Sequence, residues 1–442
     1  MSSSPLRSGG YRLQPGGSIA GSVRVPGDKS ISHRALMLSG IAEGVSEITG
    51  FLASEDCLAT LSALLELGVS IEHPHRERVI VHGVGMHGLR PASGPLNMGN
   101  AGTAMRLMMG LTAGRSFEST LIGDPSLMRR PMERVAVPLR LMGAGVLTHE
   151  GRPPVRMLPG GRLGAIDYEL PVPSAQVKSA ILLAALRADG RTRVTEPAPT
   201  RDHTERMLAT FGVELVRGGR AIALEGGQAL RAAHIEVPGD FSSAAFFLVA
   251  GCLAAQEPLT LENVGVNPTR TGLIELLREM GADIRIHPRA VQAPSAEPTA
   301  DLEVRASNLR GIKVPQALVP LAIDEFPVFF IAAACAEGDT LVRGALELRV
   351  KESDRLAAMA EGLGRLGVEH DLLPDGLWIR GRGGLTGGAL ASYGDHRIAM
   401  AFAVASLRAA APIEILDVAN VGTSFPGFVA TARSAGLRIE EF

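Results

Sequence analysis

The chain has 442 residues, with 44 Lys and Arg against 46 Asp and Glu, so its formal net charge is −2 at pH 7. Hydrophobic residues make up 46% of the chain and charged residues 20%, a composition that excludes an intrinsically disordered protein. Because there is no basic excess, a general nucleic-acid or membrane-surface binder is disfavoured. The length predicts about two to four domains with sizeable cores.

The N-terminal region, the apolar runs and the cysteines indicate the compartment. Residues 1–17 are rich in Ser, Gly and Pro and lack the apolar stretch of a secretory signal. The longest apolar run, residues 244–255, has 12 residues, whereas about 20 are needed to cross a bilayer. The three cysteines, Cys57, Cys252 and Cys335, are widely spaced, as in a reduced protein. We therefore expect a soluble cytoplasmic chain without a membrane partner.

Two features recur along the whole chain with a period of about 70 residues. The first is a glycine preceded by apolar residues one and four positions earlier, which predicts an amphipathic helix that ends on a left-handed glycine before a strand. These glycines are Gly68, Gly143, Gly212, Gly281, Gly367 and Gly436. The second is an uncharged, Ala-rich run that follows a polar cluster and predicts a helix buried on every side. These runs begin near Ala35, Ala104, Ala180, Ala244, Val328 and Ala399. The sequence thus predicts six copies of an α/β unit.

A repeated Pro-Gly-Asp turn suggests where the six copies divide into two groups of three. It occurs at Pro26 and again at Pro238. We predict a discontinuous domain I formed by residues 1–25 and 241–442, and a domain II formed by residues 26–240. Two chain crossings would join them, and the strand before Pro26 would pair with the C-terminal half.

Polar clusters precede each of the Ala-rich runs and therefore lie at predicted helix N-termini, which attract anions. In chain order they include Lys29, Ser30 and Arg34, then Asn100 to Arg106, Ser174 to Lys178, Asp240 to Ser243, Asp324 with Glu325, and Asp395 to Arg397. Each cluster alone could be a set of capping groups and surface ion pairs. All six together predict a site for a strongly anionic ligand.

Four segments, three of which contain these clusters, resemble the signature motifs of the 5-enolpyruvylshikimate-3-phosphate (EPSP) synthase family. They are PGDKSISHR at 26–34, GNAGTAMR at 99–106, RVKESDR at 349–355 and GDHR at 394–397. The resemblance runs in order from about Gly16 to the C-terminus. It implies an α/β fold of two similar domains, each of three βαβαββ units with buried helices, in an inside-out α/β barrel. The active site would lie in the cleft between the domains.

The resemblance also implies a reaction and its partners. The family transfers the enolpyruvyl group of phosphoenolpyruvate to the 5-hydroxyl of shikimate 3-phosphate and releases phosphate, on the pathway to chorismate and the aromatic amino acids. The reaction passes through a tetrahedral ketal and uses neither a metal nor an organic cofactor. We expect glyphosate to inhibit, and we expect a monomer without nucleic-acid partners.

By motif position, the resemblance assigns residues to both substrates and to the chemistry. Shikimate 3-phosphate would contact Lys29, Ser30, Arg34, Ser174, Ala175, Gln176, Arg201, Asp324 and Lys351. Phosphoenolpyruvate would contact Lys29, Asn100, Gly102, Arg130, Gln176, Arg355 and Arg397. The catalytic residues would be Asp324, Glu352 and Lys29, the two carboxylates carrying the proton transfers. Which carboxylate moves which proton stays open.

The chain departs from the best-known family pattern at two positions. Ala175 stands where a second serine is common, and the pair Thr423 and Ser424 replaces a lysine near the C-terminus. Because both departures occur together in a bacterial subgroup, they indicate a subtype. Whether Thr423 and Ser424 replace the lysine contact stays open.

Other patterns in the sequence are weaker. The GxGxxG spacing at 83–88 is followed by prolines and not by a helix, which argues against a dinucleotide site. Four histidines, His73, His75, His82 and His87, have no metal-ligand spacing and are expected on a surface hairpin.

Two other functions are disfavoured. The related transferase acting on UDP-N-acetylglucosamine typically carries a cysteine on a loop, and residues 108–128 contain no cysteine, which argues against that enzyme. If the protein only bound phosphorylated metabolites and catalysed no reaction, the two carboxylates Asp324 and Glu352 would have no role in proton transfer.

Overall fold

The computed structural model describes residues 9–291 and 295–442, and within them two kinds of helix alternate. The odd-numbered helices are buried along most of their length, and the even-numbered helices bury one face. The helices are α1 (Lys29–Ile41), α2 (Glu55–Glu66), α3 (Gly102–Thr112), α4 (Glu133–Leu141), α5 (Ala175–Ala185), α6 (His203–Thr210), α7 (Phe241–Ala254), α8 (Gly272–Glu279), α9 (Phe326–Cys335), α10 (Arg355–Arg365), α11 (His396–Ala405) and α12 (Phe428–Ser434). This alternation confirms the repeat that the sequence predicted.

The strands lie between the helices and form small sheets. They are β1 (Gly10–Gly17), β2 (Ile19–Val23), β3 (Glu43–Thr49), β4 (Ser70–His75), β5 (Arg78–Val84), β6 (Leu96–Asn97), β7 (Ser119–Ile122), β8 (Val146–His149), β9 (Arg152–Met157), β10 (Leu163–Gly164), β11 (Asp167–Glu169), β12 (Ala188–Asp189), β13 (Arg191–Thr195), β14 (Leu215–Gly218), β15 (Ala221–Glu225), β16 (His234–Glu236), β17 (Ala255–Gly265), β18 (Asp283–Pro288), β19 (Thr299–Arg305), β20 (Glu337–Val342), β21 (Glu369–Leu373), β22 (Gly376–Arg382), β23 (Gly388–Ala391), β24 (Ile413–Leu416) and β25 (Leu437–Glu441).

Six sheets share one plan, in which a parallel pair is followed by two antiparallel neighbours. In the first half the orders are β16-β3-β5-β4, β6-β7-β9-β8 and β11-β13-β15-β14. In the second half they are β2-β17-β19-β18 and β23-β24-β1-β25, and the sheet β20-β22-β21 gains its parallel neighbour through a bridge between Lys313 and Leu341. The strands before Pro26 therefore pair with the C-terminal half, as expected.

The chain divides into two compact units. Unit A comprises the chain up to Pro26 together with Gly239–Ala290 and Pro298–Phe442, and unit B comprises Gly27–Pro238 with Val291–Glu297. The chain thus passes between the units four times and not twice, because 291–297 groups with unit B. The predicted domains, residues 1–25 with 241–442 and residues 26–240, stay a prediction.

We call the buried, odd-numbered helices the inner helices and the even-numbered helices the outer helices. Each unit contains three inner helices and three of the six sheets. In unit B, α1, α3 and α5 carry much of the core, and in unit A the helices α7, α9 and α11 pack on one another. The inner helices approach closely where one lacks a side chain: a Cβ on Gly110 of α3 would lie 2.2 Å from the carbonyl oxygen of Ala180 in α5. This close packing is one cause of the high glycine content.

The six glycines predicted to end the outer helices adopt the left-handed conformation that the sequence predicted. Gly68, Gly143, Gly212, Gly281, Gly367 and Gly436 have φ between 77° and 111°, a region that side chains with a Cβ rarely adopt. Each follows an outer helix and precedes a strand or short turn. The three cysteines are buried free thiols, as expected for core residues. None of the helices in the described ranges has both the length and the apolar character that crossing a bilayer requires.

Candidate active site

The polar clusters lie at the N-termini of the inner helices, so each helix presents backbone N–H groups beside them. Aspartate or serine side chains cap four of these helices, namely α1 at Asp28, α5 at Ser174, α7 at Asp240 and α11 at Asp395. The caps fix where each helix begins and so fix the residues that follow. Unit B carries α1, α3 and α5, and unit A carries α7, α9 and α11.

Lys29 is the first residue of α1 in unit B. Its Nζ donates to Asp56 Oδ2 at 2.9 Å, and Asp56 belongs to the first turn of α2. The Lys29 side chain keeps 18% of its surface exposed, whereas that of Asp56 keeps 7%. Asp56 therefore orients a half-buried ammonium group at the start of the helix. The sequence did not predict Asp56 as a site residue, because it lies 27 residues from Lys29 in the chain.

Arg34 is buried one turn further along α1. Its guanidinium donates to Thr204 Oγ1 at 2.7 Å, to Ser179 Oγ at 2.9 Å and to the Ser30 carbonyl at 2.9 Å. All three partners are neutral, and only 3% of Arg34 is exposed. Burial lowers the pKa of Arg34 to about 10, partly opposed by the negative charge of Glu205. A buried cation held by neutral oxygens is suited to bind an anion.

His33 supports α1 from inside the core and does not face the candidate site as a ligand. Its Nδ1 lies 2.8 Å from Thr60 Oγ1, and its Nε2 lies 4.0 Å from Cys57 Sγ. Burial, together with Lys29 and Arg34, lowers the pKa of His33 to about 3. The imidazole is therefore neutral at physiological pH and ties α1 to α2.

The first turn of α3 brings together several predicted residues of unit B. Asn100 donates to Asp124 Oδ2 at 2.7 Å and accepts from Arg130 Nη2 at 2.6 Å. Arg130 also passes close to Gly102, because a Cβ there would lie 2.9 Å from Arg130 Nη1. A side chain at position 102 would therefore displace the Arg130 guanidinium, which is a second reason for glycine there, beside close approach of the backbone to a ligand.

Gln176, at the start of α5, joins α3 to α5. It accepts from Arg106 Nη1 at 2.5 Å and donates to Thr103 Oγ1 at 2.7 Å. Arg106 also donates to the Pro131 carbonyl at 3.1 Å. Arg106 was not among the predicted site residues, although it ends one of the motifs. Its position next to Gln176 makes it part of the same cluster.

Ser174, Ala175 and Arg201 complete the predicted residues of unit B. Ser174 caps α5, Ala175 is the first residue of that helix, and Arg201 lies half-buried before α6. The buried Lys178 links their segments, since its Nζ lies 2.9 Å from Glu196 and 2.7 Å from Glu205. Burial raises the pKa of Glu196, although Lys178 opposes this shift.

In unit A, Arg355 is the centre of the candidate carboxylate site. Its Nη2 donates to Glu352 Oε2 at 2.5 Å, and its Nη1 lies 3.5 Å from Asp324 Oδ1. Lys351 Nζ lies 3.3 Å from the same oxygen of Asp324. Two predicted catalytic carboxylates are thus held by two cations within one cluster. Both keep some exposure, 12% for Asp324 and 19% for Glu352, so they remain reachable.

Asp395 holds Arg355 and the start of α11 in position. It is 0% exposed and accepts from Arg355 Nε at 2.8 Å, from Arg355 Nη2 at 3.3 Å and from the Arg397 backbone N–H at 2.9 Å. Burial alone would lower the pKa of Arg355, but Asp395, Glu352 and Asp324 raise it above its ordinary value. Arg397 donates to the Asp324 carbonyl at 3.2 Å. The N-termini of α9, α10 and α11 therefore meet around one set of charges.

The pair Thr423 and Ser424 lies in the segment that leads into α12. Thr423 donates to the Asn420 carbonyl at 2.7 Å, and Asn420 donates to the Gly394 carbonyl at 2.6 Å. Gly394 immediately precedes Asp395, so this segment supports the start of α11. Whether Thr423 and Ser424 contact a substrate stays a prediction.

The weaker sequence patterns can be located in the structure. His73, His75 and His82 lie on the β4–β5 hairpin as expected, where His82 pairs with Glu72, whereas His87 lies in the turn after β5. No helix follows β5 before α3. Within the described part of the chain, no group of His, Cys, Asp and Glu is arranged to hold a metal ion.

Comparison with known proteins gives matches along almost the entire chain. The family model for EPSP synthase (3-phosphoshikimate 1-carboxyvinyltransferase) matches residues 13–431. The 3-phosphoshikimate 1-carboxyvinyltransferases of Methylococcus capsulatus and Alkalilimnicola ehrlichii are each 58% identical to this chain, covering 97% of it and 98% and 96% of their own lengths. A solved structure of EPSP synthase from Acinetobacter baumannii has a TM-score of 0.87 and 50% identity, covering 98% of this chain and 100% of that one.

Proposed function

The chain belongs to the EPSP synthase family, and from this premise we propose that the inner-helix N-termini of units A and B bind its two anionic substrates. The reaction is the transfer of the enolpyruvyl group of phosphoenolpyruvate to the 5-hydroxyl of shikimate 3-phosphate, with release of phosphate. Each substrate carries a phosphate and a carboxylate, so cations and helix N-termini are the complementary chemistry.

Arg34 carries the assignment of shikimate 3-phosphate to unit B. Its buried guanidinium has neutral oxygen partners, so binding a carboxylate neutralises it without breaking an ion pair. Ser174 and Gln176 begin α5, and Lys29 and Ser30 begin α1, where N–H groups and hydroxyls suit a phosphate. The remaining contacts would come from Ala175, Arg201, Asp324 and Lys351.

Phosphoenolpyruvate needs a second set of cations. We assign to it Lys29, Asn100, Gly102, Arg130, Gln176, Arg355 and Arg397. Arg130 and Asn100 are already bonded to each other, which fixes one guanidinium in place. Arg355 is fixed more firmly, by Asp395 and Glu352. Preorganised cations stabilise charge that develops when the phosphate departs.

Asp324 and Glu352 would carry the proton transfers. One carboxylate takes the proton of the 5-hydroxyl as the hydroxyl oxygen bonds to C2 of phosphoenolpyruvate, and the other donates a proton to the methylene carbon to give the ketal. In the second step that carbon returns a proton while the C–O bond to phosphate breaks. Both carboxylates contact Arg355, so one guanidinium couples the two groups.

Three finer proposals concern inhibition, assembly and compartment. Glyphosate would compete with phosphoenolpyruvate for the same cations. The protein would act as a monomer, since each unit buries its own core. It would act in the cytoplasm, with which three buried free thiols are compatible.

Phosphate release from purified protein tests the function. We expect release only when both shikimate 3-phosphate and phosphoenolpyruvate are present, and none when either is omitted. Release from either substrate alone would indicate a contaminating phosphatase. Release that requires UDP-N-acetylglucosamine in place of shikimate 3-phosphate would contradict the proposed acceptor.

Replacing Gly102 by alanine should weaken glyphosate more than phosphoenolpyruvate. The added methyl would lie 2.9 Å from Arg130 Nη1 and 3.4 Å from Arg106 Nη1, so the ligand space narrows and Arg130 must shift. Overpacking of this kind costs about 1–3 kcal/mol, roughly a tenfold to hundredfold rise in the glyphosate inhibition constant. Steady-state kinetics with both ligands measure the difference.

Gly94→Ala is the matched control, because a Cβ at this exposed glycine meets no atom within 4 Å. It should change neither constant. Equal weakening of glyphosate and phosphoenolpyruvate by Gly102→Ala would refute the idea that glyphosate needs the extra space.

A further inference from the structure

A buried cluster in unit A contacts Arg397, and sequence reasoning did not assign it to the site. It consists of Ser242, Arg270 and Glu325, which we call the Glu325 cluster. Glu325 precedes α9 and is 2% exposed, and Ser242 and Arg270 are each 3% exposed. Arg270 Nη2 donates to Ser242 Oγ at 2.7 Å, and Ser242 donates in turn to Glu325 Oε1.

One oxygen of Glu325 lies between two guanidinium groups. Oε1 is 3.7 Å from Arg270 Nη2 and 3.9 Å from Arg397 Nη1. The other oxygen, Oε2, has no hydrogen-bond partner among the described residues. Core packing alone does not account for a buried carboxylate held in this way, because burial of a charge is costly unless it is fully paired.

Glu325 lies farther from Arg397, at 3.9 Å, than Asp395 lies from Arg355, at 2.8 Å. Asp395 accepts two hydrogen bonds from Arg355, and this pairing occupies the Nε and Nη2 side of the guanidinium. Arg397 instead donates to the Asp324 carbonyl at 3.2 Å and lies beyond hydrogen-bond distance of Glu325. The carboxylate thus attracts the guanidinium without occupying its N–H groups.

We propose that Glu325 is a positioning residue that orients Arg397 for phosphoenolpyruvate. Arg270 and Ser242 fix the Glu325 carboxylate, so it cannot swing into a full ion pair with Arg397. Arg397 therefore keeps its orientation against the Asp324 carbonyl and keeps N–H groups for an incoming anion. Glu325 itself does not touch the substrate. The inference rests on the proposed function, in which Arg397 binds phosphoenolpyruvate.

Glu325→Gln tests the proposal because the amide keeps the shape and an acceptor for Ser242 but removes the charge. We expect KM for phosphoenolpyruvate to rise about tenfold, as for one weakened charge-assisted contact. The value of kcat and the Kd of shikimate 3-phosphate should change little. Glu297→Gln is the control, because it neutralises another buried carboxylate, 2.6 Å from His203 Nδ1 in unit B, and should leave this KM unchanged.

Arg397→Lys and the double variant identify the path of the effect. If Glu325 acts through Arg397, Glu325→Gln adds little to the KM of Arg397→Lys. Independent, multiplying effects would overturn the proposal, as would an unchanged KM in Glu325→Gln when Arg397→Lys raises it. If Arg397→Lys leaves the KM unchanged, Arg397 does not bind phosphoenolpyruvate and the proposal falls with that assignment.

Two further measurements keep the outcomes distinct. Wild-type protein without phosphate release in the presence of both substrates would refute the proposed function itself, whatever the variants do. Should Glu325→Gln not fold, as judged by thermal unfolding, Ser242→Ala removes the hydroxyl that holds Glu325 and keeps every charge. We then expect a rise of roughly threefold in the same KM, and an unchanged value would overturn the proposal.

Discussion

Lys29→Ala is expected to lower kcat/KM by about a thousandfold, the effect of removing a preorganised charge from both substrates. The loss exceeds that of a single contact because Asp56 would remain. Its side chain is 7% exposed and pairs with Lys29 at 2.9 Å, so in the variant its carboxylate would lose this ammonium group and repel the anionic substrates. Steady-state kinetics for both substrates, with circular dichroism to check folding, measure the effect.

The Asp56 carboxylate provides an internal check. Adding Asp56→Asn to Lys29→Ala removes the repulsion, and we expect about a tenfold recovery, as for one charge close to the substrates. Lys313→Ala, which removes the charge of an exposed lysine in unit A, should leave activity unchanged. Near-normal kinetics of Lys29→Ala would remove Lys29 from the site.

The repeat could be predicted because its signals are local. A glycine with positive φ after an amphipathic helix, and an uncharged run long enough for a buried helix, both arise within a few residues. Gly68 and Gly436 mark the first and last outer helices as predicted. The family prediction was also confirmed, since it rested on long motifs that span the chain.

Contacts between distant segments could not be predicted in the same way. Asp56, Arg270 and Glu196 stand in stretches without a distinctive pattern, and only the fold brings them to Lys29, Ser242 and Lys178. These buried partners determine how the side chains of the site are oriented and how strongly they are charged. Motif residues alone therefore identify the chemical groups of a site but not its electrostatics. The grouping of 291–297 with unit B also depends on tertiary packing, where His203 meets Glu297.

The two carboxylates of unit A should give the largest change in kcat. Asp324→Asn and Glu352→Gln keep the shape of each side chain but remove its ability to carry a proton. We expect each to lower kcat by about 10²–10⁴-fold, the usual contribution of general acid–base catalysis. Binding of shikimate 3-phosphate should weaken less for Glu352→Gln, because Asp324 pairs with Lys351 at 3.3 Å.

Asp354→Asn is the matched control. Asp354 lies two residues from Glu352, caps α10 by accepting from the Ala357 N–H at 3.0 Å, and pairs with Arg349, and an amide can keep the cap. We expect its kcat to stay within about threefold of wild type, as for a surface charge.

Deuterium incorporation separates the two carboxylates, because the methylene carbon gains a solvent proton only when the ketal forms. Single turnover in D2O should show ketal formation blocked in the variant that lacks the first-step proton donor or acceptor. A variant that forms deuterated ketal but releases phosphate slowly has lost the group needed for the second step. A kcat within tenfold of wild type for either variant would exclude that carboxylate from proton transfer and leave the other to carry the proton transfers of both steps.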